Sequence, residues 1–498
     1  MVLEAERALN AGDVDAAAAI LKNLLRVSPR NIRAQSLAGV VADKKNNLAE
    51  AAEHFAAAAR FAPGAPETRN NYGAILIRLD RKKEAARELE ASLKLNPRQL
   101  SALVNLAKIR FDDGDLLAAR ALFERAREIK IDQEIVRSLL VISLRLKDTK
   151  RAKREYRDFL ALAGDPGPGD DDRRNLANLM ASAGLVTEAA ALLESGVNSN
   201  PSDIPSLVLL SKVFLQQKNI PAAGKLLESA VARGIDDARI YAALADVYQA
   251  GGYYENAIPA MRNAIEKAPE ETDYRFRYGL LLVDSKAPAA AVIRLNEYIK
   301  LFPRAPRLWL GLGIAYLTDG KSPEARASFE KALELDPKML PALAYMANTY
   351  TEAAQYGEAV KVYERAIEIS GGKQPIFQYL LADTLLNIAD ADAKRIEALL
   401  KQAIELDAGF GSAYSALATL YVRQGRWPEA ADALEHAVTI QPDDTKSLYQ
   451  LSRVYARLKK TEQSQATLEK FKRLTAEAKE RKEFDRRELV RRLADVRF

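Results

Sequence analysis

Prolines that recur at a spacing of 34 residues, with small shifts, place the strongest constraint on the fold of this chain. Proline cannot continue a helix, because it lacks a backbone donor and its ring clashes with the preceding turn. A proline at a fixed period therefore marks the end of one structural unit. The 498-residue chain is predicted to be an array of short repeated units. The prolines that share this place are Pro29, Pro63, Pro97, Pro201, Pro269, Pro303, Pro337 and Pro442.

Residues 306–337 show the pattern inside one unit. Apolar residues fall at positions 4, 7, 8 and 11, and again at positions 20, 24 and 27, so each set lies on one face of a helix. Glycine at position 15, as at Gly114 and Gly320, predicts a tight turn between two antiparallel helices. A single pair cannot bury its apolar face, so neighbouring pairs must stack. The patterned residues are Trp309, Leu312, Gly313, Tyr316, Ala325, Phe329 and Ala332.

This pattern resembles the tetratricopeptide repeat family. The resemblance implies an all-α, right-handed α-solenoid (superhelix) of about 14 helix-turn-helix repeats, each with a helix A and a helix B. It also implies that helix A lines a concave groove, which holds a protein or an extended peptide.

The only low-complexity break is the Gly/Pro/Asp segment 164–172, which is predicted to be a loop. It separates an N-terminal array, residues 1–163 with repeats 1–5, from a C-terminal array, residues 173–469 with repeats 6–14. Two interpretations of this segment remain: a long loop within one continuous stack, or a hinge between two arrays. Residues 470–498 form a basic helical tail with eleven Lys/Arg and six Asp/Glu, which is predicted to cap the solenoid. A partner-binding helix is the alternative.

Composition excludes several classes of chemistry. The chain has no cysteine, which excludes disulfides, thiolate metal sites and cysteine nucleophiles. Its two histidines, His54 and His436, lie far apart, and no nucleotide-binding or hydrolase motif occurs. We therefore expect neither enzymatic activity nor a cofactor. The tail carries +5 of the net charge of +6, so the high isoelectric point does not indicate nucleic-acid binding.

No apolar run is long enough to span a membrane, so a soluble protein is expected. Met1 already occupies position 4 of the first helix A, so the first repeat lacks its opening residues. The compartment is therefore open: cytoplasmic, or bacterial periplasmic if a leader was removed.

Polar side chains at the groove-facing positions of helix A are the candidate binding residues. Asparagine can hold a peptide backbone because its amide both donates and accepts hydrogen bonds. The asparagines at position 6 resemble a partial form of the ladder in the repeats of O-linked N-acetylglucosamine transferases, but no transferase domain follows. The candidates are Asn70, Asn71, Asn105, Lys108, Arg174, Asn175, Asn178, Lys212, Arg277, Tyr345, Asn348, Tyr449 and Arg453.

A second binding mode of the family, a carboxylate clamp for peptide C-termini, requires basic and asparagine residues at set positions of three repeats. Leu209 and Ala243 interrupt that set here. The favoured function is a non-catalytic scaffold or adaptor that binds a protein segment in the groove. One alternative is the recruiting or regulatory region of a larger enzyme or envelope assembly whose catalytic part is absent from this chain. Self-association through the end repeats is another.

Overall fold

The computed structural model describes residues 1–163 and 169–494, and the chain divides into two units, Met1–Gly251 and Gly252–Phe498. Within those described residues, the regular structure consists of 28 α-helices without a β-strand. In chain order these helices match the helix A and helix B segments of the 14 predicted repeats. The predicted all-α class and the number of helix pairs are confirmed.

The first unit begins with a shortened helix A, after which helices of 13 to 15 residues alternate along the chain. The helices are α1 (Val2–Asn10), α2 (Val14–Val27), α3 (Ile32–Lys44), α4 (Leu48–Phe61), α5 (Pro66–Arg78), α6 (Lys82–Leu95), α7 (Leu100–Asp112), α8 (Leu116–Ile129), α9 (Gln133–Arg145), α10 (Thr149–Ala163), α11 (Asp170–Ser182), α12 (Val186–Ser199), α13 (Ile204–Gln216), α14 (Ile220–Ala232) and α15 (Ala238–Ala250). Helices that follow each other along α1–α10 and along α11–α15 pack together, and buried apolar side chains between them form clusters such as the one from Leu76 to Ile142.

The second unit continues the same alternation and ends in one longer helix. Its first helix, α16, is a helix B, so the odd-numbered helices are again helix A. The helices are α16 (Tyr254–Lys267), α17 (Thr272–Asp284), α18 (Pro288–Leu301), α19 (Pro306–Thr318), α20 (Ser322–Leu335), α21 (Leu340–Glu352), α22 (Tyr356–Ile369), α23 (Pro375–Leu386), α24 (Ala393–Leu406), α25 (Gly411–Arg423), α26 (Trp427–Ile440), α27 (Thr445–Arg457) and α28 (Thr461–Ala494).

Glycine at repeat position 8 packs directly against the side chain at position 24 of the same pair. A Cβ atom at Gly279 would lie 2.7 Å from both Cδ atoms of Leu295, whose side chain is fully buried. Gly39 faces Phe55 and Gly73 faces Leu89 in the same way, each at 2.8 Å. These distances are below van der Waals contact, so glycine is what allows the two helices to approach this closely.

The residue at position 15 adopts left-handed backbone in every turn from helix A to helix B except the one after α23. Glycine fills it in six repeats, with φ between 73° and 85°, as the sequence predicted. Seven other repeats place a non-glycine residue there with φ between 55° and 64°: Asn46, Asp80, Lys147, Lys218, Lys286, Ala354 and Lys459. The turn after α23 contains six residues, 387–392, against three in the turn after α19, 319–321, so repeat 12 has an insertion of three residues there.

Two helices have bounds that differ from the predicted segment bounds. Helix α11 begins at Asp170, so residues 170–172 belong to its first turn and not to a loop; residues 164–168 lie outside the described residues. The helix α28 runs from Thr461 to Ala494 without a break at residue 470, so the basic tail extends the last helix B through residue 494, while residues 495–498 lie outside the described part. A hinge at the Gly/Pro/Asp segment stays a prediction. No helix in the described residues combines the length and apolarity that crossing a membrane requires.

Candidate functional site

Three consecutive A helices of the second unit, α23, α25 and α27, present one face of each to a shared groove. The groove contains a cavity of about 280 Å³. Its walls come mainly from repeat positions 2, 5, 6, 9 and 13, which are groove-facing positions of helix A. The lining residues are Tyr379, Asp383, Leu386, Asn387, Ser412, Ser415, Ala416, Thr419, Arg423, Asp444, Lys446 and Gln450.

The charged residues of this cavity are two carboxylates, Asp383 and Asp444, and two cations, Arg423 and Lys446. Burial raises the pKa of Asp383 on α23 above its ordinary value, while the positive charges of Lys446 and Arg423 act in the opposite direction. Among the residues that the structure describes, neither the Asp383 carboxylate nor the Lys446 ammonium group has a hydrogen-bond or ion-pair partner. Both groups are therefore available to a ligand.

The surrounding contacts hold this face rigid. The hydroxyls of Ser415 and Ser447 lie 2.7 Å apart and join α25 to α27. The side chain of Asp444 caps α27 by accepting from the backbone N–H of Lys446 at 3.0 Å. The guanidinium of Arg423 donates to the backbone carbonyl of Leu386, which joins α25 to α23. A ligand would consequently meet groups that are already positioned.

This arrangement suits recognition of a peptide. The amides of Asn387 and Gln450 can donate to and accept from an extended backbone, and the charged groups can select ionised side chains. Among the described residues no group of three His, Asp or Glu side chains is placed to hold a metal ion.

The predicted residues of α5 and α7 are distributed unevenly over the surface. Asn70 is 8% exposed, donates to Asn71 at 3.4 Å and buries its own Oδ1 without a hydrogen-bond partner, and its role in binding stays a prediction. Asn71 and Asn105 are half-buried. Lys108 is exposed and forms an ion pair of 2.6 Å with Glu134.

In α11 and α13 the predicted residues divide into one engaged side chain and three exposed ones. Arg174 forms ion pairs with Asp171 and with Asp203, which precedes α13, so its guanidinium fastens α11 to the next repeat. The Arg174 guanidinium is therefore already paired and is not a free cation in the groove. Asn175, Asn178 and Lys212 are exposed.

In the second unit the predicted aromatic residues pack on their own surroundings. Tyr345 stacks on Phe329 with ring centroids 5.6 Å apart. Tyr449 lies 5.3 Å from the ring of Phe471 on α28, and Arg453 lies 5.9 Å from the Tyr449 ring.

The remaining two predicted residues interact with neighbours on their own helices. Arg277 lies 5.8 Å from the ring of Tyr274, and Asn348 donates to Glu352 at 2.9 Å.

None of the thirteen predicted residues lines the cavity between α23, α25 and α27. Sequence reasoning missed Asp383, Arg423 and Lys446, which stand at positions 9, 13 and 2 of repeats 12 to 14. The signal that could have found them is the presence of charged residues at groove positions of three successive repeats. The irregular turn of repeat 12 obscured that register.

The comparisons with known proteins agree on the family. Four family models, each described as tetratricopeptide repeat, match residues 2–66, 94–340, 316–384 with 387–445, and 445–477. These matches extend over nearly the whole chain, and the helix pairs follow the same register. The chain belongs to the tetratricopeptide repeat family.

Two curated relatives show how such a chain occurs in other proteins. The TPR repeat-containing protein YpiA of Bacillus subtilis (strain 168) is 22% identical over 309 residues, which cover 61% of this chain and 71% of that protein. Cellulose synthase operon protein C of Xanthomonas axonopodis pv. citri (strain 306) is 24% identical over 82% of this chain. The chain spans only 29% of that second relative's length.

Among solved structures, the APC/C hetero-tetramer Cut9–Hcn1 contains a similar chain, with 12% identity, a TM-score of 0.40, and coverage of 95% of this chain and 93% of that one. The Naa15/Naa10 complex bound to HypK-THB gives 16% identity and a TM-score of 0.40, with 91% and 68% coverage. Identities and scores this low do not transfer a function.

Proposed function

We propose that this chain is a non-catalytic interaction scaffold that binds an extended protein segment in the groove of α23, α25 and α27. One observation carries the proposal: the Asp383 carboxylate and the Lys446 ammonium group face a preformed cavity, and no residue in the described part of the chain pairs with either. Partial burial of the Asp383 carboxylate is costly for the free protein, and the attraction of Lys446 and Arg423 offsets that cost only in part. A segment that brings a cation to Asp383 would reduce this cost, a carboxylate of the same segment would pair with the exposed Lys446, and its backbone would be held by neighbouring amides.

The test is a selection of peptides from a displayed random library on the intact chain, followed by affinity measurements on a groove variant. The variant carries Asp383→Ala with Lys446→Ala. The matched control carries Asp432→Ala with Lys373→Ala, an exposed pair outside the cavity. We expect the groove variant to bind the selected peptides about tenfold or more weakly than the intact chain, since charge-assisted contacts in a partly buried site are strong. Equal affinities in both variants would contradict the proposal.

The asparagines of the first unit remain a separate proposal for the same function. Asn71, Asn105, Asn175 and Asn178 lie on A helices and keep at least part of their side chains accessible. A variant with alanine at all four positions tests whether this unit also contributes to peptide binding. Retained affinity for every selected peptide would restrict the binding site to the second unit.

A second candidate function is the recruiting or regulatory region of a larger assembly. It is supported by the similarity to a stretch that forms only 29% of cellulose synthase operon protein C. Purification of the native protein through a tag, followed by determination of its mass and composition, tests this alternative. A stable complex that contains a catalytic subunit would support it, whereas an isolated chain would contradict it.

A further inference from the structure

A strongly basic surface lies on the B helices of repeats 4 and 5 in the first unit. Residues 145–157 contain seven Lys/Arg against two acidic residues. Five basic side chains from α8 and α10 line two surface cavities of about 740 and 420 Å³: Arg127, Lys150, Arg151, Arg154 and Arg157. Arg151 and Arg154 line both cavities, so the two form one basic groove. The acidic residues that line it are Glu128, Asp148 and Asp158.

Most of these cations are not used by the fold. Arg151 bonds to Glu124 and, at 3.2 Å, to the buried Glu155, so it has a structural role. Asp148 is also occupied, because it caps α10 by accepting from the backbone N–H of Arg151 at 3.2 Å. In contrast, within the described residues, Lys150, Arg154 and Arg157 form no ion pair or hydrogen bond through their side chains. Their charges are therefore free to attract an anionic partner.

Apolar side chains are exposed beside these cations. Ile131, after α8, is 67% exposed, and Leu162, near the end of α10, is 40% exposed. Both line the larger cavity together with the buried Val136. Exposed apolar surface with a charged rim is typical of protein-binding sites. Arginine is also among the residues that contribute most to binding energy at interfaces.

We infer that this basic groove is a second binding site, which takes an acidic protein segment with at least one large apolar side chain. The segment's carboxylates would pair with Lys150, Arg154 and Arg157, and its apolar side chain would cover Ile131 and Leu162. A nucleic acid would satisfy the cations, but its phosphates and sugars offer no comparable side chain for the apolar part.

The test uses a fluorescent synthetic peptide of alternating glutamate and leucine residues, and measures its binding to the intact chain by anisotropy. Polyglutamate, a lysine–leucine peptide and a DNA duplex are the comparison probes. The groove variant is Arg154→Glu with Arg157→Glu, and the matched control with the same change in net charge is Lys22→Glu with Lys94→Glu. All four residues are exposed, so both variants should fold, which circular dichroism checks.

We expect the groove variant to bind the glutamate–leucine peptide about tenfold more weakly than the wild type, with the control within about twofold, because local charge dominates over net charge at ordinary salt. Leu162→Ser should also weaken binding of the glutamate–leucine peptide, whereas binding of polyglutamate should not change. Asp158→Asn should strengthen binding of the glutamate–leucine peptide, because it removes a negative charge from the groove. Equal losses in the groove and control variants, or no binding by the wild type, would overturn the inference. If the wild type binds the DNA duplex more tightly than the glutamate–leucine peptide, and the groove variant loses that binding, the groove is a nucleic-acid site instead.

Discussion

Replacing Gly279 by alanine tests the close helix contact at repeat position 8, which Gly39 and Gly73 also make. The new Cβ atom would lie 2.7 Å from Leu295 Cδ1 and Cδ2 and 2.8 Å from its Cγ, whereas ordinary contacts lie between 3.4 and 4 Å. Leu295 is fully buried, so either the side chain or α17 must shift by several tenths of an ångström. Overpacking of this kind costs about 1–3 kcal/mol of the free energy of unfolding.

The control for this prediction is Gly357→Ala on α22 of the same unit, where nothing lies within 4 Å of the added atom. Alanine raises helix propensity at both sites, by up to about 1 kcal/mol, so the propensity gain largely cancels between the two variants. Urea unfolding followed by circular dichroism should therefore place Gly279→Ala below Gly357→Ala by about 1–3 kcal/mol. Combining Gly279→Ala with Leu295→Val should recover part of the loss, as a double-mutant cycle measures. Equal midpoints for the two single variants would refute the reasoning.

Three further predictions follow from individual contacts. Ala354→Gly should raise the urea midpoint, with a gain of about 0.5–1 kcal/mol, because alanine at φ 55° is strained in the turn after α21; a lower midpoint would contradict this. Arg174→Ala should lower the free energy of unfolding by about 1–2 kcal/mol through loss of the Asp203 ion pair, without changing the affinity of peptides that bind α23, α25 and α27. Burial raises the pKa of Glu155, so the folded state binds its proton more tightly and loses stability as pH rises through that raised pKa. The stability of Glu155→Gln relative to wild type should consequently increase as pH rises above 4.5, the ordinary pKa of glutamate. Thermal unfolding of both proteins at a series of pH values measures this difference, and a difference that stays constant with pH would contradict the prediction.

The repeat pattern predicted the helices well because its small and large positions contact each other within one helix pair. Glycine at position 8 and a large residue at position 24 meet in the same pair, so their spacing alone indicates two helices in close contact. The start of α11 was missed for a physical reason. The acidic residues at 170–172 favour loops by composition, yet in the structure they occupy the first turn of a helix, where the helix dipole stabilises negative charge.

The candidate site was less predictable than the fold. Which groove residues remain available depends on tertiary partners: Arg174 is occupied by Asp203, and Tyr449 is covered in part by Phe471 of the extended α28. Asp383 and Lys446 have no such partners among the described residues, and their sequence positions show only that they are charged residues on the groove face. A repeat pattern specifies which face a side chain occupies but not what neighbouring repeats place against it.

Site-specific photo-cross-linking shows directly whether a peptide occupies the cavity between α23, α25 and α27, because the chain has no cysteine and a single introduced one is unique. Gln450→Cys places a maleimide-linked photo-cross-linker in the cavity between α23, α25 and α27, and Glu405→Cys places the same group on the exposed surface of α24. The account predicts that a peptide selected on the intact chain cross-links at position 450 and not at position 405, and that unlabelled peptide competes. Cross-linking at position 405 alone, or at neither position while the peptide is bound, would contradict it.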